Sequence, residues 1–241
     1  MRLKVIAKNT KKSIDSHQTP IFLFLVALFI TCIIAANTIA VKIVSVFNLI
    51  VPAGVIIFPI SYILGDVLTE VYGYKRTRLV IWLGFFSNLI FVISVYLAMK
   101  LPSAIFWNEQ AAFERILGFT PRLLLASFCG YLAGSFSNSA VLSRVKILTK
   151  GRNLWIRTIG STLIGEGVDS LLFISIAFAD SLPYPVLKTM IMTQWLFKTG
   201  YEIVITPVTY AVVSYIKNKE KVDTFDFKVN YNPFSLTGRK T

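Results

Sequence analysis

Residues 158–179 read TIGSTLIGEGVDSLLFISIAFA, a stretch that is apolar at both ends and carries two carboxylates, Glu166 and Asp169, in its middle. At about 1.5 Å of rise per residue, a helix of this length crosses a hydrocarbon core roughly 30 Å thick. The surrounding solvent decides how the stretch is read. In water, two acids three residues apart on one helix face are unremarkable. In lipid each costs about 2.5–3.5 kcal/mol on insertion scales, so both must face a polar interior rather than the bilayer.

Composition settles the solvent. Of 241 residues, 55% are hydrophobic and 15% charged, against the quarter or so of charged residues in a soluble domain. Five further runs match the first in length and character, at 20–41, 50–68, 79–99, 122–142 and 189–216. None has the strict alternation over about ten residues of a barrel strand. The expected fold is therefore an all-α integral membrane protein, a bundle of six transmembrane helices over 20–216. Basic tails at 1–19 and 217–241 flank it, and no separate soluble domain is expected.

The net charge of +13 invites a nucleic-acid reading, but the placement of the charges argues against direct nucleic-acid binding. Nineteen Lys and Arg fall in the first tail, the loops after the second and fourth spans, and the last tail. Five fall on the opposite side (Lys42, Lys100, Arg115, Arg122, Lys188), and Lys198 lies within a span. This asymmetry predicts that both termini face the cytoplasm. The basic start before IFLFLVALFITCIIAA imitates a secretory signal, but the run exceeds a signal's apolar region and five spans follow, so it is expected to remain in the membrane. Cys32 and Cys129 fall in spans without metal-ligand or disulfide spacing and are expected to pack as small hydrophobes. His17, the sole histidine, lies in the first tail and so cannot relay protons within the membrane. No metal and no cofactor is expected.

Glu166 and Asp169 have company. Asp66 lies in the second span with Glu70 near its end, and Lys198 and Glu202 lie in the sixth. Lys198 and Glu202 stand at i, i+4, the spacing of a local ion pair, and that pairing would neutralise one acid. Asp66, Glu166 and Asp169 would still lack a basic partner. They line a polar cavity that meets a ligand's N–H groups, or they carry protons. Asn37, Asn88, Asn138 and Gln194 lie at similar depth; each reads equally as interhelical glue or as a ligand contact. Trp195, one turn before Lys198, is either packing or a platform for a flat ligand. Gly130 with Gly134, and Ser161 with Gly165, have the small-xxx-small spacing of close helix contacts. Pro52, Pro59 and Pro207 predict kinked or interrupted spans. Gly65-Asp66 and Gly165-Glu166 stand 100 residues apart, Asn37-Thr38 and Asn138-Ser139 stand 101 apart, and these offsets hint at an inverted three-plus-three repeat.

Five stretches carry a resemblance: ANTIAVK at 36–42, FP at 58–59, GDVLTEVYGYKR at 65–76, RTIGSTLIGEGVDSLLF at 157–173 and KTGYEIVITPVTYAVV at 198–213. Together they resemble the queuosine-precursor transporter family, of the vitamin uptake transporter type, over about 20–217. The resemblance implies a six-helix importer in the bacterial inner membrane, not an enzyme, with a small deazaguanine base or queuine as its partner besides the bilayer. The substrate site expected from the residues comprises Asn37, Asp66, Asn138, Glu166, Asp169, Trp195, Lys198 and Glu202, and the excess of acids, with no GxxxxGKS/T loop for ATP, suggests transport coupled to protons. In that family Gln is frequent at the place of Glu166, so Asp169 is the firmer choice of the two. Two alternatives stand beside this: the binding subunit of an energy-coupling-factor-like importer, and an intramembrane enzyme with paired acids. The sequence leaves an energising partner or a homo-oligomer open.

Overall fold

The computed structural model describes residues 19–46, 49–118, 121–179 and 182–235. The basic residues expected in the first tail, together with His17, Arg239 and Lys240, lie outside the described residues.

Helix α1, Pro20–Ile39, opens with Thr19, whose hydroxyl accepts from the Phe22 N–H at 3.2 Å while Pro20 fills the first turn. The second span departs from its expected form. The chain first makes a short antiparallel hairpin, β1 Ile43–Val46 and β2 Leu49–Pro52, then a 3-10 turn, Ala53–Ile56. Helix α2, Phe58–Tyr72, begins only after it. Pro52 ends β2 and Pro59 lies in the first turn of α2, places where a residue that cannot donate a backbone hydrogen bond is tolerated. Only the 3-10 turn and α2 together reach membrane-spanning length.

Gly73, at φ +85°, breaks α2 from α3, Tyr74–Lys100. A loop and the short helix α4, Gln110–Leu117, lead to α5, Pro121–Leu148. Helices α6, Leu154–Phe178, and α7, Tyr184–Glu220, complete the bundle. Among the described residues, five segments have the length and apolarity to cross a membrane, ending with α6. At 37 residues α7 is about 55 Å long, more than a bilayer needs.

The burial pattern is that of a protein dissolved in lipid. Phe24, Phe86, Ile90, Leu97, Leu171 and Val204 point outward, whereas Asp66, Glu70, Arg157, Glu166 and Glu202 are buried. Helices α5 and α6 pack most closely, and the expected small residues are the reason. A Cβ at Gly134 would lie 2.9 Å from the Gly165 carbonyl oxygen, and one at Gly165 would lie 2.6 Å from Asn138 Cβ. The two backbones meet where no side chain intervenes.

One end of the bundle is closed by ionised groups. Glu70 accepts a two-pronged bond from Arg157 at 2.7 and 2.8 Å and a third bond from Lys217 at 2.5 Å. Lys146 donates to the Glu70 carbonyl and bridges to Asp223 at 2.6 Å. Basic residues counted in the loop after the fourth span and in the last tail thus converge on one carboxylate. Residues 221–235 then cross this end. The Thr224 N–H bonds to the Val71 carbonyl, Arg78 donates to the carbonyls of Asn230 and Asn232, and Trp82 donates to that of Pro233. Asp226 accepts from the Tyr74 N–H at 2.8 Å, capping α3 from 152 residues away.

Candidate functional site

Helix α6 presents a polar stripe toward α5 and α7. Thr162, Glu166, Asp169 and Ser170 recur at the three- and four-residue spacing that keeps one face, and all are buried. The glycines of α5 let this stripe approach, since a Cβ at Gly130 would sit 2.7 Å from Asp169 Oδ1 and one at Gly134 would sit 2.8 Å from Asp169 Cβ.

Lys198 of α7 reaches into the stripe. Its ammonium stands 2.8 Å from Glu166 Oε2 and 2.5 Å from Asp169 Oδ2, and 4.3 Å from the centre of the Phe58 ring. The local pair expected with Glu202 does not form. The lysine crosses to α6, where two carboxylates surround its charge and one would not. In a low-dielectric interior the more completely surrounded cation is the more stable.

Asp66 faces this cluster from α2. Its Oδ1 accepts from Asn138 at 2.5 Å, its Oδ2 has no partner, and Glu202 is its foremost charged neighbour. Among the described residues, neither Asp66 nor Glu202 makes an ion pair. Asn138 Oδ1, Glu202 Oε1 and the hydroxyls of Thr162, Ser170 and Thr199 are also buried without partners. Buried polar atoms are ordinarily satisfied, so this concentration marks a place built to receive hydrogen bonds. A space of about 10 Å³, lined by Phe29, Ser61, Tyr62, Gly65, Ser135 and Asn138 among others, lies beside it. That admits roughly one water, well short of the roughly 300–1,000 Å³ of an open ligand pocket. The bundle is closed around its polar centre.

The structure thus brings together Asp66, Asn138, Glu166, Asp169, Lys198 and Glu202. It sets the other two expected residues to work between helices. Asn37 accepts from the Ser127 hydroxyl at 3.3 Å, joining α1 to α5. Trp195 donates to the Leu163 carbonyl at 2.8 Å and lies against Gly167, joining α7 to α6. Phe58, beneath the lysine, entered the sequence reading only through the family resemblance, and Tyr62, which has Glu166 and Asp169 as charged neighbours, did not enter it. The hydroxyls of Thr162 and Ser170 carry a readable signal, because both fall four residues from Glu166.

A closed helical bundle around a buried, partly unsatisfied acid cluster defines a polytopic membrane protein with a polar interior. A sequence profile described as "Putative vitamin uptake transporter" matches residues 52–212. A "Probable queuosine precursor transporter" of Bacillus subtilis is 30% identical over 191 residues, covering 78% of this chain and 82% of that protein. The "Queuosine precursor transporter" of Escherichia coli is 26% identical over 157 residues, covering 65% and 68%. A "Probable queuosine precursor transporter" of Haemophilus influenzae is 26% identical over 168 residues, covering 66% and 67%. No solved structure matches. The chain belongs to the vitamin uptake transporter family and is a multi-pass protein of the bacterial inner membrane. These relatives are named as transporters, and the enzyme alternative is set aside with them.

Proposed function

We propose that this protein imports queuosine precursors, the deazaguanine bases or queuine, for salvage into tRNA queuosine. The observation that carries the reading is the pair Asp66 and Glu202, two buried carboxylates that among the described residues have no cation, beside a group of unpartnered polar atoms. A deazaguanine presents a ring N–H and an exocyclic amine side by side, donors that such acceptors satisfy. The names of the relatives support the same substrate class.

The reading includes an orientation. The closed end, with Glu70 and the basic residues around it, faces the cytoplasm, and both termini lie on that side. The three-plus-three repeat, with Asp66 and Glu166 in equivalent places, puts the site between the two halves. Coupling to protons follows from the same surplus of acids, for one proton on the pair removes the repulsion between two buried carboxylates.

The test is uptake of labelled precursor into cells unable to make it, with and without a protonophore. Uptake is expected to depend on this protein and to fall when the gradient collapses; an unchanged initial rate removes proton coupling. Asp169→Asn, present in the membrane at normal abundance, is expected to lose most uptake. Purified protein in liposomes separates a transporter from a binding subunit: accumulation marks the first, tight binding without flux the second.

A further inference from the structure

Helix α3 leaves the sealed end at Tyr74 and reaches Lys100 about 40 Å away, farther than a hydrocarbon core is thick. Its far end carries the marks of a bilayer boundary. Tyr96 and Lys100 are both exposed, and the ammonium stands 5.7 Å from the centre of the tyrosine ring, a belt aromatic beside a charge that reaches for water. The chain does not run on into water from there. Helix α4 folds back beside α3: at its start the Gln110 amide donates to the Met99 carbonyl at 3.3 Å, and just past its end a Cβ on Gly118 would lie 3.5 Å from Met99 Sδ. Both ends of α4 thus stand at the height of residue 99, and the helix lies crosswise at the level of that boundary.

What α4 and the loop before it show outward is largely apolar. Ile105 and Trp107 are exposed, Phe106 is 85% exposed, and no residue of α4 is buried. The helix is two-faced: Ala112, Phe113, Ile116 and Leu117 share one side by their spacing, whereas Gln110 and Glu114, bonded to each other at 2.7 Å, take the other with Arg115. An exposed apolar cluster of this kind marks a contact surface. It is joined to α3, because Trp107 and Phe113 line one open groove of about 180 Å³ with Ala98 and Leu101. Leu97 and Leu101 in turn extend the outward, lipid-facing side of α3. We propose that residues 105–117 are seated in the headgroup layer of the leaflet away from the sealed end, with Ile105, Phe106, Trp107 and the apolar side of α4 turned toward the acyl chains. That layer takes apolar groups to a depth of about 5–10 Å and leaves charged ones wet, the division that α4 makes. Lipid is the occupant, rather than protein, because the surface lies at boundary height and continues a face already in lipid. Since α4 packs on α3, the contact holds the far end of α3 at a fixed depth.

The test is tryptophan emission of the purified full chain in phosphatidylcholine vesicles whose acyl chains carry bromine either close to the headgroup or close to the methyl end. Subtracting the spectrum of Trp107→Phe from that of the wild type isolates Trp107, because Trp82, Trp155 and Trp195 are common to both. Its emission is expected to fall about twofold or more with bromine near the headgroup and less with bromine at the methyl end, as a depth of roughly 5–10 Å requires. Iodide in the water is expected to leave it largely unquenched. Emission unchanged by bromine at either position overturns the proposal: with quenching by iodide the loop lies in water, and without it a second copy or another protein covers the surface. Stronger quenching from the methyl ends overturns the shallow placement. A nitroxide on Phe106→Cys, in a chain with Cys32→Ala and Cys129→Ala, reads the same depth without removing a tryptophan. Oxygen is expected to relax it more than a water-soluble nickel chelate does, and the reverse order overturns the proposal.

Discussion

Lys198 divides one charge between two acids, and removing it tests what that arrangement is worth. Lys198→Met leaves Glu166 and Asp169 face to face without a cation, and breaking a buried pair this way costs about 3–5 kcal/mol. The expected result is a large fall in melting temperature in detergent, partly restored when Asp169→Asn is added. The sequence marked all three residues but paired the lysine with Glu202, because local spacing is visible in a sequence and an approach between helices is not. Gly134 gives a second test at this scale. A Cβ there would lie 2.5 Å from the Tyr62 hydroxyl and 2.8 Å from Asp169 Cβ, whereas one at Gly160 of the same bundle meets nothing within 4 Å. Gly134→Ala is expected to cost about 1–3 kcal/mol through overpacking, and Gly160→Ala to be neutral or stabilising by up to about 1 kcal/mol. Melting of the two variants side by side checks this.

At the scale of elements, five segments among the described residues have the length and apolarity of a span, and apolar length and charge spacing located the long helices to within several residues. They missed the hairpin and 3-10 turn before α2, because an apolar run of ten residues reads alike as strand or helix. They also missed the device that starts α3. Gly73 turns the chain at positive φ, and a Cβ there would stand 2.7 Å from Thr224 Cγ2. Asp226 then caps the helix from a distant segment while also accepting from the Ser143 hydroxyl at 2.6 Å. Asp226→Ala is expected to cost about 1–2 kcal/mol, the usual value of an N-cap. Asp226→Asn, which keeps an acceptor oxygen, should recover most of it. Amide exchange in the first turn of α3 distinguishes the two.

Across the whole molecule, apolar side chains both face outward and fill a core, and the charged ones gather inside it. Glu70 illustrates why this was not readable residue by residue. Arg157, Lys146 and Lys217 count equally as loop charges in a sequence, and only packing gathers them on one carboxylate. Asp223 ties residues 221–235 into that network. Burial raises the pKa of its carboxyl, but Lys146 and Lys217 outweigh burial and hold it below its ordinary value. A folded-state pKa below the unfolded one contributes stability above the unfolded pKa, lost as pH falls through the folded value. The segment is therefore expected to loosen in acid, and Asp223→Asn to flatten that loss; proteolysis of 221–235 as a function of pH is the measurement.

The cap on α3 also bears on how the protein is made. Tyr74 is synthesised 152 residues before the carboxylate that completes its helix. A nascent chain can place its spans in the bilayer in order, yet this end of the bundle stays unsealed until residue 226 has been made. Arrest of the ribosome before residue 226 emerges should leave an inserted protein whose sealed end an added protease can still enter.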